Sequence, residues 1–360
     1  MSSAEPGRAT RAAALVKVVG ALDVATRAQV AELARRVEEF DGVEAISEAP
    51  RLALAAGDPA QTHFLAWRGD RLAGYAQLEA AGRGAELAVS PDSRRLGVGA
   101  ALVGDLARSA VDLRIWAHGD LLPARACAAA LGLAPVREMW EMAAGMRPGL
   151  SPAKPPSAAA PASATPPESA AAPASATPPE ASGTANEFTF RRFDPARDRA
   201  AWVGLNALAF AGHPEQGALT LADLDRRMAL SWFDKDGLIV AEPRAAACDD
   251  TSIFPAPDAV RSPLAGYVWT KIEAGRGEIY GIGVHPAAQG RRLGTRLLEL
   301  GLQHLAGRGV HKARLFVEGD NAPAIAAYRR QGFRVIRRDV QYAFPPGALP
   351  PMSRRRTRPS

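Results

Sequence analysis

The chain has 360 residues, 47% of them hydrophobic and 23% charged, which is long for one domain, suits two, and is apolar enough to bury real cores. The formal net charge is +6, but Arg354, Arg355, Arg356 and Arg358 stand in the final tail, and without them the balance is +2. The folded part is therefore only mildly basic, the tail reads as a solvated end rather than a nucleic-acid or lipid contact, and no apolar run is long enough to span a bilayer. The two cysteines, Cys127 and Cys248, have neither disulfide-framework nor zinc spacing; they fit a reducing, cytoplasmic setting, and no metal site is expected.

In chain order, Leu15–Val19 reads as a strand, and Thr26–Glu39 as an amphipathic helix with Val30, Leu33, Val37 and Phe40 on one side. Asp41-Gly42-Val43 turns toward a further helix near Glu48. His63–Trp67 and Leu72–Leu78 read as paired strands about the turn Arg68-Gly69-Asp70-Arg71. A strand containing Leu87-Ala88-Val89 follows, then the loop Arg94-Arg95-Leu96-Gly97-Val98-Gly99 and a helix over Ala100–Ala110. A short strand, Leu113–Trp116, precedes Gly119-Asp120, a helix through Ala130, and Leu131-Gly132-Leu133.

Gly149–Asn186 is almost pure Ala, Pro, Ser and Thr, with the octet Pro-Ala-Ser-Ala-Thr-Pro-Pro-Glu at Pro161–Glu168 and again at Pro173–Glu180. Such composition cannot bury a core, so a disordered linker is expected over 149–186. The predicted domains are 1–148 and 187–347, with a basic disordered tail over 348–360.

The second half predicts a strand at 187–192, helices over Asp198–Phe210 and Leu219–Ser231, and a strand at Leu238–Ala241. A disordered insert is expected at Glu242–Pro263. Central strands over Leu264–Ile272 and Glu278–Val284 follow, the second containing Ile282-Gly283-Val284. The loop Gln289-Gly290-Arg291-Arg292-Leu293-Gly294 then runs into a helix from Thr295 to Ala306. After a strand at Ala313–Val317, Asn321-Ala322-Pro323-Ala324-Ile325-Ala326 opens a helix carrying Tyr328.

The two halves repeat. Val89, Pro91 and Gly99 match Val284, Pro286 and Gly294 at an offset of 195; Gly119, Asp120 and Gly132 match Gly319, Asp320 and Gly332 at 200. In each copy a strand ends at a proline and a basic loop opens a helix. The first amides of such a helix have no intrahelical acceptor and its dipole is positive there, which makes an anion site suited to a pyrophosphate.

These strings resemble the acetyl-coenzyme A loop and flanking elements of the GNAT acetyltransferase superfamily. Its loop pattern is Gln/Arg-x-x-Gly-x-Gly/Ala; Gln289 and Gly294 match, with Arg292 where the first glycine stands. The resemblance implies two α/β domains, each a mixed, mostly antiparallel sheet flanked by helices, and acetyl-coenzyme A as co-substrate.

Making an amide from a thioester requires a neutral amine, a held oxyanion and a protonated leaving thiolate. An α-amine has a pKa of about 8, so a carboxylate acting through water suffices as base. A phenol, pKa about 10, donates uphill to a thiolate of about 8.5 by roughly 2 kcal/mol, which a direct hydrogen bond offsets. The second copy has both parts in Glu278 and Tyr328. The first offers Arg83 and Ala128 at the matching positions, with Glu86 three residues out of step, so the second copy is expected to be active and the first degenerate.

Further strings narrow the resemblance to the mycothiol synthase branch. These include Asp41-Gly42-Val43 with Glu48, Trp116-Ala117-His118-Gly119, Ala209–Gly217, Trp232–Ile239, Trp269-Thr270-Lys271 and Glu278–Gln289. The branch acetylates the cysteine amine of a cysteinyl-glucosaminyl-inositol. The resemblance implies acceptor contacts at Glu48, Glu215, Lys271 and Glu278, with Glu278 as general base and Tyr328 as general acid. It implies coenzyme contacts at Leu87-Ala88-Val89 and Arg94–Gly99, at Ile282-Gly283-Val284 and Gln289–Thr295, and at Asn321–Ala326. Phe316 stands where the branch has a tyrosine. A monomer acting by direct attack is expected, with no nucleic acid or membrane partner. Two other readings stay open: acetylation of a protein N-terminus or an aminoglycoside, and a non-catalytic acyl-coenzyme A sensor.

Overall fold

The computed structural model describes residues 14–146, 187–213, 216–244 and 263–348. The linker, the tail, Cys248, Glu215 and most of the 242–263 insert lie outside the described residues. Within them the chain forms two compact units that are not strictly sequential. One holds 14–141 with 318–321 and 336–348, the other 142–317 with 322–335.

In the first unit, β1 (Leu15–Val19), β2 (Thr62–Arg68), β3 (Arg71–Leu78) and β4 (Gly84–Val89) pair antiparallel in that order; β5 (Arg114–Ala117) lies parallel to β4. Successive residues of β2 are buried against opposite faces of the sheet. Phe64 and Ala66 join Val98, Leu102, Val103 and Leu106 of α3 (Val98–Ser109). Leu65, Tyr75 and Ala88 join Val30, Leu33 and Val37 of α1 (Val24–Asp41) and Leu54 of α2 (Glu48–Ala56), whereas Phe40, expected on the same side, is exposed near the helix end with Arg94 over its ring. The α1 cap is local: the Asp23 side chain accepts from the Thr26 amide at 2.7 Å, and Gly42 ends the helix left-handed. α4 (Leu122–Ala130) and β6 (Ala134–Gly145) follow.

In the second unit β7 (Phe188–Arg192), β8 (Leu238–Pro243), β9 (Gly266–Glu273) and β10 (Arg276–Val284) pair antiparallel in order, and β11 (Lys312–Glu318) lies parallel to β10. β8 runs through Glu242 and Pro243, so the first residues assigned to the insert are strand. Pro243 is tolerated because it closes the strand. One face packs Trp202 and Leu205 of α5 (Pro195–Ala209) and Leu224 of α6 (Leu221–Met228) on Tyr267 and Trp269. The other carries α7 (Leu293–Gly307), where a Cβ on Gly301 would come within 3.0 Å of Val268 and Ile279. α6 starts on a capping box between Thr220 and Asp223. α8 (Ala322–Arg330) leads into β12 (Arg334–Ala343).

β6 and β12 carry no strand expectation from the sequence. Val340–Ala343 of β12 pairs antiparallel with β5, so the last strand of the chain completes the first unit's sheet. Charges along it are buried in pairs: Arg337 lies 3.1 Å from Glu141 and 3.4 Å from Asp339. No helix among the described residues is long and apolar enough to cross a membrane.

Candidate active site

In the second unit β10 and β11 pair only over Gly277–Ile279 and Ala313–Leu315, although β10 runs on to Val284 and β11 to Glu318. The strands part toward the loop. Ile282, Gly283 and Val284 are therefore paired with β9 on one side only, and the parted edge can hydrogen-bond an extended arm. Past Val284, the Gln289 amide closes on the Pro286 carbonyl at 3.2 Å. From 290 to 295 no backbone amide has a backbone acceptor among the described residues. These amides sit at the start of α7, and Arg291 and Arg292 are both exposed beside them. The arrangement fits a pyrophosphate with a long thin arm.

Arg292 is the left-handed N-cap of α7, at φ 56° and ψ 9°. It takes the conformation expected of the glycine it replaces, and Gly290 supplies the loop's other left-handed residue.

Glu278 is the third residue of β10, and its neighbours across the ladder are both cations, Lys271 on β9 and Arg314 on β11. It is 7% exposed. The Nε of Arg314 donates to Glu278 Oε2 at 2.9 Å, and a terminal guanidinium nitrogen lies 2.9 Å away as well. Lys271 is buried too. Its ammonium is 3.0 Å from Glu273 Oε2 and sits 4.9 Å from the ring centre of Trp232 and 5.8 Å from that of Tyr280. The Tyr280 hydroxyl accepts from Arg227 at 2.9 Å.

Tyr328 lies on α8, half-buried against Phe333. Burial pushes its hydroxyl up to about 12, so it holds its proton at neutral pH and can serve as an acid but not as a base. Of the third coenzyme string, Ala322–Ala326 belong to the second unit, whereas Asn321 belongs to the first, its amide donating to the Glu318 carbonyl at 3.0 Å.

The first unit repeats the geometry of parted strands, loop and helix. β4 and β5 pair over Gly84–Glu86 and Arg114–Trp116 and then part, and from 95 to 100 no amide has a backbone acceptor among the described residues. Arg95 and Gly97 are its left-handed pair. Arg94, though, is tied to Asp41 at 2.8 and 2.6 Å. Ala128, at the Tyr328 position on α4, is core.

The match of Arg83 to Glu278 needs correction. A bulge between Ile279 and Gly281 adds a residue to β10, so below it the offset is 194. Gly84, paired with Arg114, takes the place of Glu278, paired with Arg314.

Glu86 instead holds the cap of α2. It accepts from the Ser47 amide at 2.7 Å and hydroxyl at 2.5 Å, and lies 3.4 Å from His118 Nε2. Glu48 is the first residue of that helix.

Arg314, Tyr280 and Trp232 were not singled out by sequence reasoning as site residues. The repeat carried a signal for the first: Arg114 stands 200 residues before Arg314, at the same place on its strand.

The family model described as "Acetyltransferase (GNAT) family" matches residues 29–133 and 221–333. A protein named mycothiol acetyltransferase from Actinosynnema mirum is 39% identical over 90% of this chain and 97% of its own length. Another of that name from Streptomyces bingchenggensis is 38% identical over 92% and 97%. Among solved structures, a tandem GNAT protein from the clavulanic acid biosynthesis pathway has a TM-score of 0.57 at 17% identity, covering 93% of this chain and 100% of that one. A GCN5-related N-acetyltransferase from Sphaerobacter thermophilus has a TM-score of 0.56 at 20% identity, covering 92% and 97%. With both repeats matched by the family model and relatives aligned over nearly their whole length, the chain belongs to the GNAT acetyltransferases and, within them, to the mycothiol acetyltransferase family.

Proposed function

We propose that the second unit transfers the acetyl group of acetyl-coenzyme A to the cysteine amine of cysteinyl-glucosaminyl-inositol, giving mycothiol. The observation that carries this reading is the make-up of β10. One strand bears a buried carboxylate flanked by cations and, at its far end, the parted edge Ile282–Val284, which leads into the open amides that suit a pantetheine arm and its pyrophosphate. The relatives' name, mycothiol acetyltransferase, supports the product, and the family resemblance supplies the acceptor.

In this reading the ammonium of the acceptor gives a proton to Glu278 through water, and the free amine attacks the thioester carbonyl. The attacking nitrogen gives its second proton to solvent, as Glu278 gives up the first, the tetrahedral oxyanion collapses, the C–S bond breaks, and Tyr328 donates its proton to the departing thiolate. Tyr328 is then reprotonated from solvent. The sum is one amide and one thiol formed, with one proton released. Lys271 supports a polar acceptor from beside Glu278, and Glu48 and Glu215 are proposed as acceptor contacts on the family pattern alone. The first unit is proposed to be non-catalytic, the work to be done by a monomer in the cytoplasm, and the stretch over 149–186 to act as a linker.

The test is acetyl transfer to purified cysteinyl-glucosaminyl-inositol, with free cysteine, an aminoglycoside and an N-terminal peptide alongside. Fast acetylation of the pseudodisaccharide alone supports the reading. A folded protein that binds acetyl-coenzyme A and acetylates none, or another acceptor faster, overturns it.

A further inference from the structure

We infer that Arg314 is a positioning residue for proton transfer from the acceptor amine, holding the Glu278 carboxylate ionised and aimed. The inference rests on the reading of Glu278 as base.

The geometry is built rather than incidental. Arg314 stands directly opposite Glu278 in the last stretch where β10 and β11 still pair, just before the strands part. Two guanidinium nitrogens reach the same carboxylate oxygen at 2.9 Å, and both side chains are largely buried. A planar fork fixes a carboxylate in direction as well as in charge, which a lysine cannot do. On its other face Arg314 stacks over Phe316, 5.7 Å from the ring centre, so the guanidinium itself is braced.

The other charged groups near Glu278 have partners of their own. From β9, Lys271 faces it, but its ammonium is shared with Glu273 and with the Trp232 and Tyr280 rings. On its own strand, Tyr280 is engaged by Arg227. α7, with His304 turned to Asp234 at 3.3 Å, covers the opposite face of β10, where Ile279 meets Gly301.

A buried carboxylate stripped of its cation protonates at higher pH. In the reaction this moves the acidic limb of the pH–rate profile. A role confined to folding would lower activity equally at every pH.

The experiment compares kcat/KM for the acceptor from pH 5 to 9 in the full-length protein and its Arg314→Gln, Arg314→Lys and Glu278→Gln variants, with folding checked by circular dichroism. Arg314→Gln is expected to shift the acidic limb upward by about one pH unit while leaving KM for acetyl-coenzyme A unchanged. Arg314→Lys is expected to keep the limb near that of the parent but lower kcat several-fold. A limb unmoved in Arg314→Gln, with the rate reduced uniformly, overturns the inference. Should Arg314→Gln fail to fold, parent-like kinetics in Arg314→Lys overturn it instead. Glu278→Gln separates the two levels: if it turns over normally, the base reading itself has failed, and Arg314 with it.

Discussion

Gly97 and Arg292 hold the same place in their two units: each is the left-handed residue at which the loop becomes helix, at φ 85° and 56°. Two residues earlier the types are exchanged, Arg95 at φ 60° and Gly290 at 79°. Each loop thus holds one glycine and one arginine in the left-handed region. The turn is a property of the repeat, not of a glycine at one position.

That equivalence makes a prediction for Arg292→Gly. A non-glycine residue in the left-handed region costs about 1 kcal/mol, and glycine loses about as much through the freedom of the unfolded chain. Stability should barely change, with the thermal midpoint moving less than about 2 °C. The lost guanidinium lies beside open amides, where a charge-assisted bond to phosphate is worth about 1.5 kcal/mol, so KM for acetyl-coenzyme A should rise roughly tenfold. Thermal melts and steady-state kinetics check both. An unchanged KM assigns Arg292 to the turn alone.

Tyr328→Phe removes only a hydroxyl, and no hydrogen bond among the described residues depends on it. If it protonates the leaving thiolate, kcat should fall by about 10²–10⁴ while acetyl-coenzyme A still binds. Burial holds its pKa up to about 12, so Tyr328 stays protonated through the assay range and gives no alkaline limb there. A pH series on the parent protein to pH 10 checks this. A limb near pH 8 that vanishes in Tyr328→Phe would show a differently poised group.

How far the sequence carried the reading depends on what each residue answers to. Phe64 and Leu65 meet α3 and α1 on opposite faces of the sheet, and the short apolar run that results, bounded by a turn, is visible without a structure. The two loops were legible because proline, arginine and glycine punctuate them. β6 and β12 were not, since Arg337, Asp339 and Glu141 sit on them in buried pairs, and paired burial leaves a polar string in the sequence. Arg314 was invisible as a site residue for a related reason: its meaning comes from standing opposite Glu278 across a parallel ladder, and register between strands 36 residues apart has no local signal. The bulge after Ile279 misplaced the repeat by one residue for the same lack of local information.

Gly74 and Gly266 are a second pair of equivalents, each on the strand beside the loop helix. A Cβ at Gly74 would stand 2.7 Å from Val98 and 3.0 Å from Leu102; one at Gly266 would stand 2.8 Å from Leu297 and 3.0 Å from the Gly283 carbonyl. Alanine at either should cost about 1–3 kcal/mol as the helix is pushed outward. Only Gly266→Ala displaces the start of α7, so it alone should raise KM for acetyl-coenzyme A. Melts and kinetics on both variants check this, and equal kinetic damage from Gly74→Ala would contradict the assignment of catalysis to the second unit.

The last prediction concerns pH and the first unit. Burial alone would pull the His118 imidazole below its ordinary value, but Glu86 at 3.4 Å on one side and Asp339 at 3.4 Å on the other raise it to about 10. Burial alone would raise both carboxyls, but His118 with the Ser47 and Gly119 donors holds them below the usual carboxylate range. The signs then follow. A raised histidine contributes stability that is fully present below the unfolded value of about 6.5 and is lost as pH climbs to about 10; depressed carboxyls lose theirs only in acid. The melting temperature should therefore fall progressively from about pH 7 to pH 10. His118→Asn, lacking the cation between two buried carboxylates, should melt lower at pH 7 and show a flatter decline over the same range. Melts across that range in both proteins decide it: parallel slopes would mean that the histidine is already neutral at pH 7, and that the two carboxylates are held by Ser47, Gly119 and Arg337 without it.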